Sequence, residues 1–499
     1  MKPETTTESA EKIHPSPSPH VTIIDAPQTP RKKFRSYFDS KQKVLLGMIF
    51  LVLGFIVVSG AYYLLTDAQV PSPVREVLQM GPKATDKPKS ALELGTEYLK
   101  EQQKVNKTAE PQSGSDMGQV LTGSKTTEFT AEQINASHRS FFALSPGTSA
   151  KNGVDRHVIN YVSQDKDGEP ITILAQVFIP KLPAGTKMPV YVFGSGTTGL
   201  DDHCAPSKEN PAVRNWGNYL QHMLVYASQG YIVVFPDYEG FNDPNRIHHY
   251  FNGKLEGQVL LDGARAIKHY LARPELQIPH EDQYFFAGYS EGGHAAFAVK
   301  DYAPTYAPDV NVGGVIGYGA TSNIEALIRE NPGLIPYLIY AYSDFYGKDN
   351  FDPKDYMQEK WVKTLREDVL RMCVDQMPSF YGSNPAAVYT PDFGEALYAR
   401  KLHEKFGRIQ KYFDENSTGY VKNDIPMNIM QGTVDPIITV ASQKEFMKLS
   451  CQNGNKITYT EFPGVHHFQT RQVSLQESLD WMKQIRDGQT VKDDCELVL

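Results

Sequence analysis

The stretch Gly288-Tyr289-Ser290-Glu291-Gly292-Gly293 places a serine between glycines at positions two before and two after it. An apolar run, 283–287, precedes it, and 294–299, which contains no Gly or Pro, follows. A sharp turn from a strand to a helix needs glycine at these positions, because side chains there would collide with the neighbouring chain. The pattern predicts a nucleophile elbow with Ser290 at its tip.

A serine nucleophile needs a histidine to take its proton and a carboxylate to orient that histidine. Downstream of an elbow of this kind, the acid comes first in the chain and the histidine second, and each follows a strand. Asp435 follows the apolar run 427–430, and the pair His466-His467 follows the alternating run 457–462. We expect Asp435 to be the acid. His467 is the preferred base because it stands three residues after a glycine, and His466 remains the alternative.

The developing oxyanion must be met by two backbone N–H groups, one from the residue after the nucleophile and one from the loop after the third strand of the fold. Glu291 supplies the first. The second is expected from Ser195 or Gly196, where the apolar run 189–193 enters a glycine-rich turn. No Gly-Lys-Ser/Thr sequence follows that turn, which argues against a phosphate-binding loop.

Four motifs in order carry a resemblance to a known family, namely Gly196-Thr197-Thr198-Gly199-Leu200, Cys204-Ala205-Pro206-Ser207, Phe235-Pro236-Asp237-Tyr238-Glu239-Gly240 and the elbow. From about residue 130 to near the C-terminus, the chain resembles the secretory lipase family of α/β-hydrolases from fungi and bacteria. The resemblance implies a mostly parallel central sheet flanked by helices, an inserted helical lid and esterase or lipase activity. Many relatives carry histidine or an acidic residue in place of Ser195 and glutamine in place of Glu291. Asp237 matches a structural turn of the family.

Composition fits a large folded enzyme, with 40% hydrophobic and 22% charged residues in a chain of 499. The net charge of −8 provides no basic surface for nucleic acid, so a nucleic-acid partner is not expected. We predict no metal, no organic cofactor and no obligate protein partner. The expected partner is an acyl ester or lipid substrate.

The segment Val44–Leu65 contains no charged residue and is long enough to cross a membrane as one helix. Basic residues cluster just before it, which predicts a cytoplasmic N-terminus and an exported catalytic domain. A retained signal anchor is favoured over a cleaved signal peptide, because the apolar run begins far from the N-terminus. The predicted organisation is a disordered cytoplasmic tail (1–43), the single transmembrane anchor (44–65), a polar stalk (66–125) and the α/β-hydrolase domain (126–499).

All four cysteines follow that segment, so two disulfides are expected. Of the three possible pairings we favour Cys204 with Cys373 and Cys451 with Cys495. The spacing of a zinc site is missing.

About a hundred residues, 322–422, separate a predicted strand at 312–317 from the strand before Asp435, far more than an ordinary α/β connection. Apolar residues at helical spacing within it predict an inserted helical lid that shapes the substrate pocket.

The motifs together predict a carboxylic ester hydrolase, a lipase or esterase, that acts through a serine acyl-enzyme. An acyltransferase or a serine peptidase could use the same triad. A catalytically silent ligand-binding protein of this fold is the alternative from another class.

Overall fold

The computed structural model describes residues 116–499, apart from residues 211 and 212. The predicted tail, membrane segment and most of the predicted stalk therefore lie outside the described residues. Within the described part of the chain, no helix combines the length and the apolar character that a membrane crossing requires.

One nine-stranded sheet organises the described chain. Its strand order is β1-β2-β3-β5-β4-β6-β7-β8-β9. The strands from β5 to β9 in that order are parallel, and β1, β2 and β3 form an antiparallel edge. Their bounds are β1 Val120–Phe129, β2 Val154–Gln164, β3 Pro170–Pro180, β4 Met188–Gly194, β5 Ile232–Pro236, β6 His280–Tyr289, β7 Val312–Tyr318, β8 Met427–Gly432 and β9 Ile457–Phe462. This confirms the predicted α/β-hydrolase architecture with a mostly parallel sheet.

Helices cover both faces of the sheet, which explains why the central strands read as continuous apolar runs. β4 and β5 are buried along their whole length. One face packs against α4, α5 and α15, and the other against α1, α2, α3 and α17. The α-helices outside the insertion are α1 Ala131–Ser137, α2 Arg139–Leu144, α3 Tyr219–Ser228, α4 Gly253–Leu271, α5 Glu291–Tyr306, α15 Val440–Gln452, α16 Thr470–Val473 and α17 Leu475–Arg486.

The connection between β7 and β8 is a helical insertion with a hydrophobic core of its own, to which Leu200, Tyr250 and Phe251 of the main domain contribute. Its helices are α6 Ile324–Glu330, α7 Ile335–Tyr346, α8 Glu359–Val362, α9 Leu365–Arg371, α10 Met377–Tyr381, α11 Pro385–Val388, α12 Pro391–Tyr398, α13 Leu402–Lys405 and α14 Gly407–Asn416. Short 3₁₀ turns lie at Asp202–Cys204, Pro206–Lys208, Pro332–Leu334, Pro353–Asp355, His467–Gln469 and Cys495–Leu497.

The first strand begins at Val120, inside the segment 66–125 that was predicted to be a stalk. β1 pairs only with β2 and is an edge strand, with all of its residues partly or fully exposed. A strand with one neighbour buries little surface, so its composition stays polar and resembles that of a linker.

Both favoured disulfides are present. Cys204 bonds to Cys373 and Cys451 bonds to Cys495, each with Cα atoms 5.6 Å apart. The first joins the loop after β4 to the insertion, and the second joins the end of α15 to the C-terminal turn. The prediction of two disulfides in these pairs is confirmed.

Candidate active site

Ser290 lies at the junction of β6 and α5, at the tip of the turn that the glycine spacing predicted. Its backbone has φ 57° and ψ −113°, a strained conformation that non-glycine residues rarely adopt. A Cβ on Gly288 would overlap the carbonyl of Gly292, and a Cβ on Gly292 would overlap the carbonyl of Gly194. The two glycines therefore allow β6, α5 and the loop after β4 to come into direct contact around Ser290.

The structure brings together the predicted acid and base. His467 Nδ1 lies 2.7 Å from Asp435 Oδ2, and both side chains are buried. The other oxygen, Asp435 Oδ1, accepts hydrogen bonds from the backbone N–H groups of Ile437 (2.8 Å) and Ile438 (2.9 Å). These contacts fix the carboxylate, and because a carboxylate oxygen can only accept, Nδ1 is the ring nitrogen that donates to it. His466 is exposed and does not contact Asp435 in the described structure.

Gly319, just after β7, provides the space for this pair. Its φ is +50°, and a Cβ built on it would lie 2.9 Å from His467 Nδ1 and 3.0 Å from Asp435 Oδ2. The sequence did not reveal Gly319, because the residues that require a glycine there lie more than a hundred positions away in the chain.

Ser290 and His467 line the same cavity, of about 400 Å³. Within the described residues no hydrogen bond joins them, and His467 Nε2 has no partner. Such contacts often form only when substrate binds. Core loops contribute Thr197, Trp216, Tyr289, Pro436, Ile437 and Phe468 to the wall, and the insertion contributes Glu330, Asn331, Pro332, Gly333, Leu334, Val374, Pro378, Gly382 and Ser383.

The three predicted oxyanion donors surround the elbow, but none of them belongs to the wall of this cavity. Ser195 is fully buried, and its hydroxyl has no hydrogen-bond partner in the described structure. Gly196 is packed so closely on Tyr289 that a Cβ would lie 2.8 Å from the ring. The residue of this loop that faces the cavity is Thr197, which the sequence analysis did not single out as a site residue.

The side chain of Glu291 is buried beneath the elbow and accepts a hydrogen bond of 2.6 Å from His248 Nε2. His248 Nδ1 lies 3.2 Å from the backbone oxygen of Glu239, so both ring nitrogens donate. Burial alone would lower the pKa of His248, but the hydrogen bond and charge of Glu291 outweigh it and raise that pKa. His248 and Glu291 therefore form a buried pair in which both ring nitrogens are hydrogen-bonded, here called the sealed pair.

Among the residues that the structure describes, two clusters have the residue types of a metal site. In the first, His203 with Cys204 and Cys373, both cysteines are consumed by the disulfide. In the second, His248 with Glu256 and Glu291, the donor atoms are engaged in hydrogen bonds within the protein. Neither cluster supports a metal site, so the absence of a metal ion and of an organic cofactor stays a prediction.

The chain is similar to known lipases. The profile of a family described as "Secretory lipase" matches residues 220–494. The secreted triacylglycerol lipase LIP4 of Malassezia globosa is 26% identical over 349 residues, which are 66% of this chain and 72% of that protein. Lipase A of Moesziomyces aphidis is 26% identical over 359 residues, 68% of this chain and 73% of that protein.

Solved structures share the fold. The rice cell wall degrading esterase LipA of Xanthomonas oryzae superposes with a TM-score of 0.61 at 18% identity, covering 75% of this chain and all of that one. Candida antarctica lipase A in its closed state gives a TM-score of 0.57 at 21% identity, covering 77% of this chain and 86% of that one.

The predicted localisation, a single-pass membrane protein with a cytoplasmic N-terminus, is contradicted by these comparisons. The matched Malassezia relatives are named as secreted lipases. An apolar run with basic residues before it is common to retained anchors and to removed leaders, so the pattern in 44–65 did not decide between them. That segment itself lies outside the described residues.

Proposed function

The chain belongs to the secretory lipase family, and from that premise we propose that it hydrolyses carboxylic esters through an acyl-enzyme formed on Ser290. The observation that carries this proposal is the shared cavity. A serine held in a strained turn and a histidine bound to a buried aspartate both face it. We also propose that the insertion acts as a lid over the cavity. The catalytic domain is proposed to begin near residue 120, where the first strand starts.

In the first half of the reaction, the Ser290 hydroxyl adds to the ester carbonyl and His467 Nε2 takes its proton. Asp435 holds Nδ1–H, which keeps Nε2 free as the acceptor and stabilises the imidazolium that forms. His467 then gives the proton to the leaving alcohol. In the second half, water activated by the same nitrogen releases the acid from Ser290.

The negative oxygen of each tetrahedral intermediate is stabilised by backbone N–H groups of Glu291 and of the loop at Ser195 and Gly196. The helix α5 begins at Glu291, so its dipole favours negative charge at the same place.

The apolar wall of the cavity supports an acyl chain as the bound part of the substrate. Leu334, Val374 and Ile437 provide aliphatic surface, and Phe468, which also lines the cavity, is 59% exposed. A site of a few hundred cubic ångströms is in the usual range for small-molecule pockets. Both triglycerides and shorter esters fit this description.

The test is hydrolysis by the full-length chain of p-nitrophenyl esters of increasing acyl length and of a triglyceride emulsion. Ser290→Ala is expected to lower kcat by at least about 10⁴-fold. Ser322→Ala is the matched control, because Ser322 is also buried but lies outside this cavity.

Equal rates in wild type and Ser290→Ala would refute the proposal. Transfer of the acyl group to an added alcohol in preference to water would identify an acyltransferase, and cleavage of an amide reporter would identify a peptidase. Absence of any reaction, without labelling of Ser290 by a fluorophosphonate, would identify a silent binding protein.

A further inference from the structure

The end of β4 and the loop that follows it pack against the residues on both sides of Ser290. Gly194 and Ser195 lie against Gly292, two residues after Ser290. Gly196 lies against Tyr289, the residue before Ser290. The next residue, Thr197, lines the cavity into which Ser290 opens. The chain therefore delivers one side-chain hydroxyl to the wall beside the nucleophile.

The Thr197 hydroxyl has one partner in the described structure. Thr197 Oγ1 lies 2.9 Å from the hydroxyl oxygen of Tyr250, a residue of the loop before α4 that is only 1% exposed. Tyr250 also packs against the insertion, with its ring 5.8 Å from the ring of Tyr337 in α7. The pair thus connects the cavity wall to the core of the insertion.

The direction of this hydrogen bond determines what Thr197 can do. Among the described residues, the Tyr250 hydroxyl has no other hydrogen-bond partner, so a buried phenol satisfies its donor only by donating to Thr197. Phenols are more acidic than aliphatic alcohols and are the stronger donors. Burial and the nearby charge of Glu291 raise the pKa of Tyr250 well above its ordinary value, so the phenol keeps its proton.

If Tyr250 donates, Thr197 accepts, and its own O–H is free to point into the cavity. We propose that the Thr197 hydroxyl is a side-chain donor to the oxyanion, in addition to the backbone N–H groups, and that Tyr250 is the residue that positions it. This inference rests on the proposed ester hydrolysis at Ser290.

The step is an addition. The Ser290 oxygen forms a bond to the carbonyl carbon, the π electron pair moves to the carbonyl oxygen, and the serine proton passes to His467. Thr197 keeps its proton and donates a hydrogen bond to the oxygen as it becomes negative. The hydrogen bond from Tyr250 polarises the Thr197 hydroxyl and makes it a better donor.

The opposite direction, with Thr197 donating to Tyr250, would make the pair a structural tether only. The two arrangements differ in what a loss of the hydroxyl does. A missing oxyanion donor lowers kcat, whereas a missing tether lowers stability or raises KM.

The experiment uses the full-length chain with Thr197→Val, Thr197→Ser and Tyr250→Phe, assayed with p-nitrophenyl butyrate. Thr197→Val keeps the shape and is expected to lower kcat by about 10² to 10³-fold, with KM changed by less than about threefold. Thr197→Ser should recover most of that loss. Tyr250→Phe should lower kcat by about tenfold, and the double variant with Thr197→Val should be no slower than Thr197→Val alone.

Affinity for an alkylboronic acid, which mimics the tetrahedral adduct on a serine, should weaken in parallel with kcat. Thr458→Val is the matched control, because the Thr458 hydroxyl is also half-buried and hydrogen-bonded, to Trp481 Nε1 at 3.1 Å, but lies outside this cavity. Its kcat should equal that of wild type.

A kcat of Thr197→Val within about threefold of wild type would overturn the inference. So would a Thr197→Ser variant as slow as Thr197→Val, or losses confined to KM and melting temperature. Ser290→Ala separates the two proposals. Retained activity in Ser290→Ala refutes the ester hydrolysis mechanism, whereas an inactive Ser290→Ala beside a fully active Thr197→Val refutes only the role of Thr197.

Discussion

Two of the buried acid–histidine pairs near the elbow have almost the same acid–nitrogen distance. His467 Nδ1 is 2.7 Å from Asp435, and His248 Nε2 is 2.6 Å from Glu291. They differ in the second ring nitrogen. That of His467 has no partner among the described residues and its ring lines the cavity, whereas that of His248 donates to the backbone of Glu239. Only an imidazole with an open nitrogen can move a proton, so the first pair is suited to catalysis and the second to holding structure.

The largest expected effect is on His467 and Asp435, called the open pair because His467 Nε2 has no partner among the described residues. Asp435→Asn should lower kcat for p-nitrophenyl butyrate by about 10⁴-fold, because an amide no longer fixes the Nδ1–H tautomer or stabilises the imidazolium. The melting temperature should change little. Asp424→Asn, at an exposed position, is the control. A loss below about tenfold would contradict the assignment of Asp435 as the acid.

The sealed pair should respond in stability. His248→Leu leaves the buried carboxylate of Glu291 without its partner, so the free energy of unfolding in urea should fall by about 3–5 kcal/mol. Glu291→Gln keeps a hydrogen-bonding side chain and should lower that free energy by only about 1–2 kcal/mol. A His248→Leu protein that is as stable as wild type but inactive would reverse the roles of the two pairs.

Gly319→Ala tests how finely the open pair is held. The new methyl group would press on both members, and we expect kcat to fall by about 10 to 100-fold. Gly347→Ala is a control for backbone strain, since Gly347 also has positive φ but no atom within 4 Å of a Cβ. Equal kcat in the two variants would show that the contact with the pair is unimportant.

The smallest expected effect concerns a third buried histidine that joins the core to the insertion. His249 contacts Glu239 at 2.7 Å and Asp344 of α7 at 3.2 Å. Burial would lower its pKa, but the hydrogen bonds and charges of Asp344 and Glu239 raise it to about 9. Because this pKa is above the unfolded value of about 6.5, the stabilisation is complete below about pH 6.5 and is lost as the pH rises through about 9.

The loss in unfolding free energy between pH 6.5 and pH 10 should be about 1–3 kcal/mol in urea titrations, and His249→Gln should remove this dependence. An identical pH dependence in wild type and variant would show that other groups cause it.

The elements that could be predicted are those whose requirement is local. The glycines around Ser290 are required by steric contacts within the same turn. The strands β6, β8 and β9 are recognisable in the sequence as apolar or alternating runs. Asp435 and His467 follow such strands, so their positions could be predicted although their contact spans 32 residues.

The missed features depend on distant partners. Glu291 and His248 are 43 residues apart, Thr197 and Tyr250 are 53 apart, and neither pair has a signature in its own segment. The wall that the insertion contributes is built from short helices joined by prolines and glycines, whose packing no periodicity describes.

The order of the chain has a consequence for how this centre is assembled during synthesis. Ser290 and its elbow emerge first, and the 169-residue span closed by Cys204 and Cys373 is complete before β8 has been made. Asp435 and His467 come from the strands that are added last to the edge of the sheet. A nascent chain truncated between residues 290 and 467 therefore has the proposed nucleophile without its proposed base, and the proposed triad is complete only once the final edge of the sheet has joined.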